Sequence, residues 1–220
     1  MKKIISVLLA VFLLISMTPD VFAKESNASN LPSMEKYSDK QYEKEDILAL
    51  EKYVSVKDGY FVFDYDKAKS DGYESDLLEG QQAYFKFLNS EISAGNLHAE
   101  KNLNIVGTIE KQNIVNPLND ADILACKGKT TKPKYYWWGY SRKLNSCFTS
   151  EVAADFGGAG SVAAGIAVVA AVWGAIPAIP PGLAASYWGL ISNRLNANNK
   201  GKGVVADVTW ALFFDIEPQK

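Results

Sequence analysis

The apolar positions of this chain come in runs of changing period. Ile4 to Met17 is an uncharged, mostly apolar run of 14 residues behind Lys2 and Lys3. Residues 24–45 are polar, which predicts a loose leader or a frayed helix. From Asp46-Ile47-Leu48-Ala49-Leu50-Glu51 the pattern tightens into one or two helical turns. Tyr53-Val54-Ser55-Val56 and Tyr60-Phe61-Val62-Phe63 flank Lys57-Asp58-Gly59, a strong short-range signal for a β-hairpin. A short charged helix is expected over 64–73. A longer one follows, with Ser75 as its N-cap and Leu77, Leu78, Tyr84, Phe85, Leu88 and Ile92 at helical spacing. Gly80 weakens that helix and Gly95-Asn96 ends it. His98 is placed in a loop, and Ile105, Val106, Ile109, Ile114 and Val115 suggest short strands.

Beyond Lys127 the pattern changes. Tyr135-Tyr136-Trp137-Trp138-Gly139-Tyr140-Ser141-Arg142-Lys143-Leu144 reads as one strand, and Ser150 can cap a helix. Phe156 to Asn193 then carries no charge over 38 residues, divided only by Pro177, Pro180 and Pro181. The prolines predict a helix to about Ile176, a turn, and an antiparallel helix from Pro181 to Asn196. Val204 to Ile216 is strand-like, with Val204, Ala206, Val208 and Trp210 on one face, and is expected to pair with 135–144. The fold class is α+β: an N-terminal β-hairpin plus helix region, then a strand–helix–helix–strand unit built on an Ala/Gly-rich helical hairpin. The expected organisation is a signal peptide at 1–23, a polar leader at 24–45 and an N-terminal α+β region at 46–126. A basic linker at 127–134 and a C-terminal Ala/Gly hairpin domain at 135–220 complete it.

Charge and cysteine usage sharpen this picture. The lysine start, the short apolar run and Val21-Phe22-Ala23 form a secretory signal, so export and cleavage before Lys24 are expected. The remaining 197 residues carry a net charge of −3, so nucleic acid is a poor partner. In an oxidising exterior the two cysteines, Cys126 and Cys147, are expected to form a disulfide. Such a loop contributes about 3 kcal/mol in the chain-entropy treatment.

No catalytic grouping is visible: the one histidine, His98, has no triad to complete, and neither a GxSxG sequence nor a phosphate loop is present. The residues indicate no enzyme, no cofactor and no metal. The unusual feature is a set of small residues at fourfold spacing, Gly157, Ser161 and Gly165, with Gly182, Ser186 and Gly189 in the partner segment. Such spacing lets helices approach closely in lipid, and residues 156–176 are long enough to span a bilayer. Trp137, Trp138, Trp173 and Trp188 are candidate interface anchors, with Arg194, Lys200 and Lys202 beside anionic headgroups. The same hairpin also fits the plain core of a soluble protein.

Several stretches together resemble the secreted, bacteriocin-like proteins of Gram-positive bacteria, of the large, heat-labile geobacillin type. They are the signal segment, Tyr53-Val54-Ser55-Val56-Lys57-Asp58-Gly59, Trp137-Trp138-Gly139-Tyr140, the Ala/Gly hairpin, and Gly201-Lys202-Gly203-Val204 before a tryptophan strand. The resemblance implies a secreted antibacterial protein acting on related cells; it carries over no functional residues. Two functions stay open. One is an antibacterial protein acting on the target bacterial membrane through the hairpin, with self-association in lipid. The other is a secreted, non-enzymatic binding or structural module of the cell envelope.

Overall fold

A computed structural model describes residues 41–107, 126–174 and 183–220. The signal segment, most of the polar leader, Ile109, Ile114, Val115, the proline turn and Gly182 lie outside these residues. The described chain is α+β, with six α-helices and eight strands. Helix α1 (Lys44–Leu48) and a 3-10 turn (Glu51–Tyr53) lead into the hairpin β1 (Val54–Lys57) and β2 (Tyr60–Phe63). Asp58 and Gly59 both adopt positive φ, 52° and 84°, the conformation that the Asp-Gly pair suits in a tight hairpin. Helix α2 (Tyr65–Ser70) follows, and then α3 (Ser75–Ser93). Glu74 holds the N-cap position of α3, so Ser75 is the first helical residue rather than the cap. The Asn96 amide donates back to the Glu91 carbonyl as the chain leaves α3. His98 sits exposed in the short strand β3 (Leu97–Ala99), which pairs with β4 (Ile105–Gly107).

The main sheet has four antiparallel strands in sequence order: β5 (Lys134–Tyr136), β6 (Gly139–Leu144), β7 (Val204–Thr209) and β8 (Phe214–Pro218). The expected pairing of 204–216 with 135–144 is present, running from Gly139 opposite Thr209 to Leu144 opposite Val204. Each of the two expected long strands is instead a hairpin. Trp137-Trp138 turns between β5 and β6, and Trp210 to Phe213 turns between β7 and β8 with Leu212 at φ 59°. Inward parity carries through the β7–β8 turn, from Val204, Ala206 and Val208 to Phe214 and Ile216, but shifts by one across β5–β6, where paired Tyr135 and Tyr140 both face inward.

Three helices cover the inner face of this sheet: α4 (Ser146–Gly157), α5 (Val162–Trp173) and α6 (Ser186–Asn198). Helix α4 is capped by Asn145, whose side chain accepts from the Phe148 amide at 2.9 Å. Ser150, the expected cap, lies inside the helix and donates to the Ser146 carbonyl. Phe214 is the centre of the layer, with its ring 5.9 Å from Phe156, 5.7 Å from Trp173 and 6.4 Å from Tyr187. Helix α3 braces the β5–β6 turn from the side. The Tyr84 hydroxyl contacts the Tyr136 and Gly139 carbonyls at 3.0 and 2.8 Å, and Gln81 donates to the Trp137 carbonyl. Buried side chains from Ile47 to Ile216 form one continuous core. Gln41, in the expected leader, is buried in it and donates to the Tyr187 hydroxyl and the Leu212 carbonyl, both at 3.2 Å.

Candidate functional site

Among the described residues the uncharged stretch covers the end of α4, all of α5 and most of α6, where two helices are expected. Residues 157–160 hold three glycines, each costing about 1 kcal/mol in a helix interior relative to alanine. Ser161 then competes as an N-cap, accepting from the Ala164 amide at 3.1 Å. The helix expected over 156–176 therefore breaks, and α5 starts afresh. Gly174 ends it in the left-handed conformation, φ 71°, donating to the Ala170 carbonyl. Among the described residues no helix is long and apolar enough to cross a membrane.

The fourfold spacing of Gly157, Ser161 and Gly165 consequently does not describe one helix face. Gly157 is the last residue of α4, Ser161 the cap of α5, and Gly165 lies in the second turn of α5. Two of the three still meet α6. A Cβ on Gly165 would enter the indole ring of Trp188, and one on Gly157 would come within 3.1 Å of the Ser192 hydroxyl. In α6 itself, Ser186 is exposed and a Cβ on Gly189 would meet open space. The close partner of α6 is α4: Phe156 stacks on Trp188 at 5.5 Å, and Ser192 donates to the Ala153 carbonyl at 2.6 Å.

The expected interface anchors divide. Trp137, Trp173 and Trp188 are buried in the core. Arg194, expected beside headgroups, is 3 % exposed because α6 turns that face inward. Lys200 and Lys202 are exposed, as expected of the loop before β7. Trp138 is half-buried, stacked on Tyr136 at 4.9 Å with the Lys44 amino group 4.4 Å above its ring. Cys126 and Cys147 are bonded, their Cα atoms 5.5 Å apart, joining the linker to the first turn of α4.

A scan against protein-family models finds no match, and searches of curated proteins and of solved structures find none either. Among the described residues no group of three His, Cys, Asp or Glu side chains could hold a metal ion. The outer face of the sheet carries Asp207 directly opposite Asp215, with Lys44 paired to Asp207 at 3.2 Å. Partial burial and then the neighbouring Asp207 raise the Asp215 carboxyl above its ordinary range, partly offset by Lys44.

The helix that stands out is α5. Gly165, Ile166, Val169, Val172 and Trp173 face the core, while Ala163, Ala164, Ala167 and Ala171 are exposed. Its carboxyl end meets two donors from the sheet, Tyr135 and Arg142, residues whose aromatic and basic character suggested a surface patch. The Tyr135 hydroxyl donates to the Trp173 carbonyl at 2.7 Å, and an Arg142 guanidinium nitrogen donates to the Val172 carbonyl. Arg142 also donates from Nε to the Thr131 carbonyl at 2.7 Å and lies 4.9 Å from the Phe148 ring centre. Burial lowers its pKa to about 10, so it stays charged at neutral pH. The signal for Arg142 was its parity: it alternates with Tyr140 and Leu144, both of which point inward.

Proposed function

We propose that the chain is an exported antibacterial protein of bacteriocin type that acts on a target-cell membrane, and that α5 is the part that meets lipid. The observation that carries this reading is the outer face of α5. A surface helix ordinarily turns charged or polar residues to water. Here Ala163, Ala164, Ala167 and Ala171 do so, in a helix with no polar side chain between Val162 and Trp173. At 12 residues α5 is about 18 Å long, short of the ~30 Å hydrocarbon core. It therefore lies in the interface or enters paired with a second copy, not as a lone span. The exposed Lys200 and Lys202 add local attraction to anionic headgroups. The lysine-led apolar N-terminus and the bonded cysteines support export to an oxidising compartment.

The test is dye release from anionic vesicles by oxidised protein spanning residues 24–220, alongside growth inhibition of a panel of Gram-positive strains. Release together with inhibition supports the reading. Neither release nor protease protection on vesicles would favour a secreted binding or structural module of the envelope, a role to which the core positions of Trp137, Trp173 and Trp188 are equally suited.

A further inference from the structure

We infer that Arg142 and Tyr135 form a polar clamp on the carboxyl end of α5, and that α5 is a helix able to open separately once this clamp is released. The last carbonyls of any helix lack partners within it. In α5, Val172 and Trp173 find theirs on the sheet, from Arg142 of β6 and Tyr135 of β5. A cation there also complements the helix dipole. At the other end α5 is joined to α4 through Gly157-Gly158-Ala159-Gly160, a stretch with little side chain to hold it.

Among the described residues the remaining attachment is apolar: Ile166, Val169, Val172 and Trp173 against the core, and Gly165 beneath Trp188. Hydrocarbon can replace that kind of contact, because lipid tails are as apolar as leucine. It cannot supply donors to the two carbonyls. The clamp is thus the part of the attachment that is specific to the folded protein. Arg142 is well placed for this role. It is 4 % exposed, its partners among the described residues are two carbonyls and a ring, and it links α5 to Thr131 in the linker. The use of this opening in lipid rests on the membrane reading above; the clamp itself does not.

Hydrogen exchange on the protein in water, without lipid, tests the clamp. Tyr135→Phe removes one hydroxyl and keeps the ring; Arg142→Gln removes the charge. Each should speed exchange of the 162–173 amides about five- to tenfold, the factor expected for one lost hydrogen bond. With Tyr135→Phe the amides of α4 and α6 should keep their wild-type rates; Arg142→Gln also loses the Phe148 contact on α4, so for it the unchanged reference is α6. Unchanged exchange in α5, or equal acceleration in all three helices, overturns the clamp. Should Arg142→Gln fail to fold, Tyr135→Phe decides alone. Dye release from anionic vesicles separates the two ideas. Faster release by a variant with an opened α5 supports both; an opened α5 with no release by variant or wild type leaves the clamp standing and removes the membrane reading.

Discussion

Gly165 lies directly beneath the Trp188 indole, where an added carbon would overlap the ring. Trp188 is fully buried and stacked on Phe156, so it has little room to yield. Gly165→Leu should therefore lower stability by about 1–3 kcal/mol or more through overpacking, read as a drop in urea midpoint with secretion reduced. The sequence marked Gly165 as a close-contact position, and a close contact exists. Its partner is an aromatic ring, though, while Gly189 faces open space. Spacing along one helix tells which residues share a face; it does not tell what the opposing surface offers. The same limit explains Arg194, whose charge suggested water but whose place on α6 points inward.

At the scale of elements, the strands and turns with strong local chemistry were legible. The Asp58-Gly59 hairpin, helix α3 and the β6–β7 pairing all follow from patterns of period two or 3.6. The break between α4 and α5 has no such pattern, because Gly157, Gly158 and Gly160 each weaken a helix by only about 1 kcal/mol, whereas a proline stops it outright. The sheet's outer face leads to a prediction of its own. Like charges directly opposite on neighbouring strands are destabilising by about 0.2–1 kcal/mol, and Asp207 faces Asp215 in that way. Because the folded Asp215 carboxyl titrates above its unfolded value, the folded state holds the proton more tightly. Its favourable contribution is full below about pH 4, the unfolded range, and is lost as pH rises through the raised folded value. Asp215→Asn should thus raise the urea midpoint at pH 7 and lose that advantage as the buffer approaches pH 4. A variant less stable than wild type at pH 7 would contradict the carboxylate pair as a cost.

Across the whole molecule, one small polar network joins the early and late parts of the chain. Trp210 donates from its indole nitrogen to Gln81 at 2.9 Å, and Gln81 donates in turn to the Trp137 carbonyl at 3.0 Å. Gly80 permits this by leaving room for the Trp210 ring against α3. Gln81→Leu would leave the buried Trp210 donor and the Trp137 acceptor unpaired. It should cost about 1–3 kcal/mol and, since α3 and the sheet share one core, lower a single cooperative transition seen equally by far-ultraviolet and tryptophan signals. No motif announced this brace, since glutamine in a helix carries no period and its partner lies 129 residues away. That separation also governs the order of assembly. β6 has only its hairpin neighbour β5 until residues 204–218 are present to add β7 and β8. Contacts of such long range close late and slowly. A polypeptide threaded through a pore with its N-terminus leading could close its β1–β2 hairpin early, but could complete the main sheet only after β8 had cleared the far side.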